Sequence, residues 1–177
     1  CVKSTGLIAK DGANIIAKNI NMNGYGSKGT FAIATKDYSN IVDSNNSNIG
    51  VQPTTKIVVD NITANTNGTE VNTNMGAIAI SKDENGQSTG DVEVVVNGKV
   101  DVKGLGAFAK GDKAKVTING NNSVIESGDN SALVALDGGT INFGGGTIEH
   151  KIDNQTVFHS NEGSKINFNG ATTINSY

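Results

Sequence analysis

Apolar positions along this chain fall in short alternating runs that close on Gly or Asn. A five-residue cassette, apolar–x–apolar–x–Gly, recurs as Ile20-Asn21-Met22-Asn23-Gly24, Val94-Val95-Val96-Asn97-Gly98 and Val116-Thr117-Ile118-Asn119-Gly120. It returns as Ile141-Asn142-Phe143-Gly144-Gly145 and Ile166-Asn167-Phe168-Asn169-Gly170. A looser copy, Ile57-Val58-Val59-Asp60-Asn61, ends on Asn, the residue after Gly that best tolerates the left-handed conformation. A second cassette precedes these, as Gly6-Leu7-Ile8-Ala9, Gly29-Thr30-Phe31-Ala32, Gly76-Ala77-Ile78-Ala79 and Gly106-Ala107-Phe108-Ala109. It degenerates to Ser131-Ala132-Leu133-Val134 and Thr156-Val157-Phe158-His159. A third apolar position follows the glycine at Val102, Val124, Ile148 and Ile174. The chain therefore reads as about six copies of one unit, each holding three short strands separated by Gly, Asn, Asp and Ser.

In the last three units the columns keep register at 25 residues: Phe108, Leu133 and Phe158; Val116, Ile141 and Ile166; Ile118, Phe143 and Phe168; Gly120, Gly145 and Gly170. A turn of a parallel β-solenoid stacks each residue on its counterpart about 4.8 Å along the axis, so equivalent positions carry like side chains. An antiparallel sandwich also alternates, and hairpin dipeptides such as Asn23-Gly24, Asn67-Gly68 and Asn85-Gly86 are present, but a sandwich does not require the same residue class at the same offset in every copy. The pattern predicts an all-β protein, a right-handed parallel β-helix of about six coils.

The units differ mainly at one corner. The second carries an extra stretch, Thr35 to Thr55, with Tyr38 and the single proline Pro53, and the third a shorter one, Lys82 to Gly90. Both should project from the same edge, and solenoid insertions are often the binding face. The candidate contact residues are Asp37, Tyr38, Asp43, Asn45, Asn46 and Gln52. Neither end shows a capping helix, so the expectation is a segment, residues 1–177, flanked by more coils.

Composition narrows the function. There are 23 Gly and 25 Asn, one Pro, no Trp and no Arg, with a net charge of -3. Gly and Asn are poor helix formers, which excludes a compact helical domain. No run approaches the ~18 apolar residues of a membrane-spanning helix. No basic cluster supports a nucleic-acid partner, and without Arg the commonest guanine contact is missing. Gly does not fall at every third position, so this is not collagen. Cys1 stands alone, which rules out an internal disulfide and a four-cysteine zinc site. It has two readings, a lipidated first residue or the place where a fragment was cut.

Candidate chemistry is thin. Glycoside cleavage needs carboxylates about 5–9.5 Å apart on neighbouring turns. Asp112, Asp137 and Glu162 share a column but lie in a turn beside Gly or Lys, where Asp is a routine residue. No Gly-x-Ser-x-Gly elbow accompanies the two histidines, His150 and His159, and His159 takes an inward strand position. Gly138-Gly139 and Gly144-Gly145-Gly146 lack the Asp of a calcium-binding nonapeptide. Asn-x-Ser/Thr triplets at Asn45, Asn61, Asn67, Asn121 and Asn154 are expected by chance in so Asn-rich a chain. The expectation is a non-enzymatic protein with no metal and no cofactor.

The Gly-Ala-Ile-Ala, Gly-Ala-Phe-Ala and Ile-Asn-Phe-Asn-Gly units resemble passenger-domain repeats of type V secreted autotransporters, the long Asn-, Gly- and Thr-rich adhesins of Gram-negative bacteria in particular. Two-partner-secreted filamentous adhesins and phage tailspikes share these motifs. The resemblance implies export through the outer membrane by a C-terminal β-barrel translocator that lies outside this chain, and display as a rod at the cell surface. It also implies adhesion to a host or bacterial surface receptor, protein or glycan, or self-association. Competing readings are a polysaccharide-binding or -cleaving β-helix of the tailspike or pectate-lyase kind, and a lipoprotein-anchored structural module.

Overall fold

Short strands with one apolar side cannot bury that side alone, and here they do so by stacking. The computed structural model describes residues 3–24, 28–37, 40–66, 74–127, 131–151 and 156–177; Cys1, Tyr38, Asn67 and Asn154 lie outside them. The first coil is β1 (Lys3–Lys10), β2 (Asn14–Ile16) and β3 (Asn19–Gly24). The second is β4 (Lys28–Thr35), a hairpin of β5 (Asn40–Val42) and β6 (Asn48–Val51), then β7 (Thr55–Val59) and β8 (Asn61–Thr66). The third is β9 (Asn74–Ile80), β10 (Val92–Val96) and the start of β11 (Val100–Lys110), which turns a corner and opens the fourth, continued by β12 (Ala114–Ile118) and β13 (Ser123–Ser127). The fifth is β14 (Leu133–Leu136), β15 (Thr140–Phe143) and β16 (Gly146–His150), and the sixth β17 (Phe158–Ser160), β18 (Lys165–Phe168) and β19 (Thr172–Ser176).

Among the described residues all strand pairing is parallel, coil on coil, except the β5–β6 hairpin and an isolated antiparallel bridge between Lys82 and Ser88. The strands form three faces, A, B and C, with six rungs each, so a right-handed β-helix advances through about five turns from first rung to last. Face B holds the ladder Ile15, Ile57, Val94, Val116, Ile141 and Ile166. Face A turns Ala32, Ala77, Ala107 and Leu133 inward, and beside them Ala34, Ala79, Ala109 and Ala135, all fully buried. These small columns leave room for the Ile, Val and Phe of the other two faces in one continuous core.

Three expectations move by a residue or a face. Ile20–Gly24, grouped above with the face B cassettes, is β3 on face C, where Ile20 stacks on Ile62; the face B rung of the first coil is β2, whose Ile15 meets Ile57. Val124 points outward, 38% exposed, and Ile125 takes the column between Val102 and Ile148. Phe108 shares an outer column with Val134 and His159, so the inner column of Leu133 and Phe158 contains Ala107, and His159 is an exposed outward residue. Alternation says which residues share a side, and a one-residue slip exchanges the sides. On face A the outer column (Ile8, Ile78, Phe108, Val134) is as apolar as the inner one, so the pattern has no phase there.

Glycine sets the corner between faces B and C. Gly120 donates its N–H to the Gly98 carbonyl at 2.8 Å, and a Cβ on Gly120 would stand 2.4 Å from that oxygen. A Cβ on Gly170 would come within 2.0 Å of the Gly144 carbonyl. No side chain fits these positions without moving backbone.

Candidate functional site

The corner between faces A and B is where the coils differ most in length. Both insertions lie there, and both fold as the same turn. In the hairpin, Asp43 N donates to the Ser47 carbonyl and Asn46 N to the Asp43 carbonyl, each at 3.0 Å, while the Asp43 carboxylate accepts from the N–H of Asn45 (2.9 Å) and Ser47 (3.0 Å). In the shorter insertion, Asp83 N donates to Gln87 O (3.0 Å), Gly86 N donates to Asp83 O (3.1 Å), and the Asp83 carboxylate accepts from Asn85 and Gln87, both at 2.9 Å. The left-handed residue is Asn46 in one (φ 61) and Gly86 in the other (φ 78). Asp starts each turn because its carboxylate reaches backbone N–H groups two residues on. Above the turns, Asn40 pairs with Val51 and Ile41 with Gly50 in one insertion, and Lys82 bridges Ser88 in the other.

The root of the long insertion is fixed by a residue that sequence reasoning missed. Lys36 is 2% exposed, and its Nζ donates to the Pro53 carbonyl at 2.8 Å. Burial lowers its pKa below the usual 10.5, against the opposing pull of Asp91 and Asp11. Gly12 N donates to Thr55 Oγ1 at 2.7 Å, so the first coil also grips the end of the insertion. Nothing in the local sequence around Lys36 marks it, because its partner lies 17 residues away.

The structure divides the predicted contact residues. Asp37 sits on the column: its N–H donates to the Asp11 carboxylate at 2.7 Å, and its own carboxylate pairs with Lys10 at 2.5 Å. It faces Asp83, Glu84 and Asn85 of the second insertion across a depression of about 400 Å³. Asp43, Asn45 and Asn46 form the hairpin turn, where the Asp43 carboxylate is taken up by backbone. Gln52 Nε2 donates to Asn40 O at 3.4 Å across the hairpin base. Tyr38 lies outside the described residues. The hairpin also presents three aliphatic residues that the sequence reading passed over: Ile41 is 42%, Ile49 64% and Val51 80% exposed.

The other candidates have local partners. Asp112 accepts from Ser88 Oγ at 3.3 Å, and Asp137, at φ 52, lies 3.9 and 4.0 Å from the amines of Lys82 and Lys110. Glu162 is exposed. His150 Nδ1 is 2.9 Å from Ser127 Oγ, but the histidine is 3% exposed and the serine fully buried, inside the column. Its Nε2 has no partner among the described residues. Among the described residues no group of three or more His, Cys, Asp or Glu is placed to hold a metal ion, and no helix is long and apolar enough to cross a membrane. The chain matches no protein-family model, no curated protein and no solved structure.

Proposed function

We propose that this chain is a segment of a surface-displayed autotransporter adhesin, with the β-helix as a rigid stalk and the corner insertions as contact sites for a receptor on a host or bacterial cell. The supporting observation is the A–B corner: two turns of the same design project from neighbouring coils, and the longer exposes Ile41, Ile49 and Val51 on a lysine-anchored root. Exposed aliphatic side chains clustered on one projection suit a protein–protein contact. The stalk itself carries little charge for a partner to repel, with -3 over the whole chain.

The test compares the intact chain with a variant lacking residues 40–51, both checked for the same β circular-dichroism signal, in cell-binding and glycan-array assays. Loss of binding on deletion is the expected result and assigns adhesion to the hairpin. Binding that survives deletion moves the contact to the column faces. An intact chain that binds no cell and no glycan overturns the adhesive reading.

A further inference from the structure

At the B–C corner a column of polar side chains loses its side chain at one rung. Pairing of Val96 with Ile118, Ile118 with Phe143 and Phe143 with Phe168 carries Asn97, Asn119, Gly144 and Asn169 onto successive rungs. Elsewhere on the β-helix neighbouring polar side chains join: Asn61 Nδ2 donates to Asn19 Oδ1 at 3.0 Å, Asn167 Nδ2 to Asn142 Oδ1 at 2.9 Å, and Asn97 Nδ2 to the Asp60 carboxylate at 3.4 Å. Gly144 interrupts the corner column. It has no alternative, since a Cβ there would lie 2.4 Å from Gly120 O and 2.7 Å from the carbonyls of Asn119 and Ile118. Asn119 and Asn169 are thus two rungs apart, roughly 9.6 Å. Neither they nor Asn121 has a side-chain hydrogen-bond partner among the described residues.

The gap is a depression of about 360 Å³, near the lower end of the about 300–1,000 Å³ usual for ligand sites. Amides of Asn119, Asn121 and Asn169 offer donors and acceptors, and the exposed Ala171 offers a small apolar surface, while Ile118, buried in the core, only closes the floor. No ionisable side chain lines it. We propose that this notch binds one neutral sugar ring of a glycan. Hydroxyls both donate and accept, matching carboxamides on either side, while the ring's C–H face suits the exposed methyl of Ala171. A uronate, sialate or phosphate would lose hydration there without an opposite charge. An extended peptide needs free backbone groups to pair with, and at this corner Asn169 N is already committed to Phe143 O at 2.8 Å and Asn119 N to Val96 O at 2.9 Å.

The inference rests on the adhesive reading for its biological sense and is tested separately from it. The methyl glycosides of glucose, galactose, mannose and N-acetylglucosamine are titrated into the ¹⁵N-labelled chain, observing Asn side-chain amides and the Gly144 and Gly170 backbone. Expected are saturable shifts confined to these groups for at least one glycoside, with a millimolar dissociation constant weakened at least about tenfold in Asn119→Ala and Asn169→Ala. Both asparagines are exposed, and unchanged circular dichroism confirms that the variants fold. No saturable shift with any glycoside overturns the proposal. So do shifts that persist in both variants, and so does equal or tighter binding of glucuronate, N-acetylneuraminate or tetraglycine. Glycoside shifts in a chain that binds neither cells nor array glycans would sink the adhesive reading and leave the notch standing. Glycan-array binding undiminished in both variants would do the reverse.

Discussion

At the B–C corner a Cβ on Gly120, Gly144 or Gly170 would meet backbone at 2.4, 2.4 or 2.0 Å, whereas a Cβ on Gly86, at the tip of an A–B insertion, would meet nothing within 4 Å; without an insertion the A–B corner is closed too, a Cβ on Gly139 lying 2.3 Å from Ala109 O. One corner is closed by direct stacking of main chain, and its connections stay between one and four residues long. The other opens outward in two coils, where it accommodates a 12-residue hairpin region between residues 40 and 51 and a second, shorter turn. The same repeat thus divides its work: the closed corner holds coils in register, and the open one varies in what it presents. The closed corner's rigidity also preserves the Gly144 gap, because no side chain can grow into it.

Substitutions at the two corners can break or sharpen this contrast. The largest expected loss is for Phe143→Ala on the inner side of the closed corner, fully buried and edge-on to Phe168 with ring centroids 6.1 Å apart; about 3–5 kcal/mol should disappear in urea unfolding. Phe168→Ala, one rung along and 44% exposed, should lose clearly less, and equal losses would mean that stacking position does not set burial energy here.

Gly144→Ala should be next, at about 3 kcal/mol, since three backbone carbonyls must move. Its partner experiment is Gly86→Ala, where only the left-handed backbone opposes the side chain, at about 1–2 kcal/mol. Finding the two equally costly would remove the steric basis of the comparison. Asp43→Ala deletes the acceptor for two backbone N–H groups in an exposed turn and should cost about 1 kcal/mol or less. Its effect should be seen as faster amide exchange within residues 40–51, with the column's protection unchanged.

The smallest effect concerns the anchor. Folded Lys36 binds its proton less tightly than the unfolded chain does, because burial disfavours the charge. The unfolded state therefore carries the extra proton in the window just below pH 10.5, and stability rises as pH climbs through it. Denaturant midpoints measured against pH should show this rise in the wild type and lose it in Lys36→Met. An identical slope in both would mean that Lys36 is solvated at the hairpin root.

How much of this was legible depends on the kind of signal. The face B ladder from Ile57 through Val94, Val116 and Ile141 to Ile166 is written in the chain as like residues at like offsets. The two insertions were placed at one corner by their position between cassettes, and that is where they lie. Phe108 and Val124 were misplaced because alternation carries no absolute phase, whereas Ile20 kept its side and was given the wrong face, because faces B and C share the same apolar alternation. Lys36 was invisible because its burial depends on Pro53 folding back over it.

By itself, then, the sequence determined the architecture and the positions of its variation, because a parallel solenoid repeats each rung's chemistry at the next and leaves that repetition in the linear order. Tertiary structure alone decided which side of each strand faces in, which lysine anchors the insertion, and that Asn119 and Asn169 flank an empty rung. Those outcomes turn on groups brought together across coils, through distances of a few ångströms that no local pattern encodes.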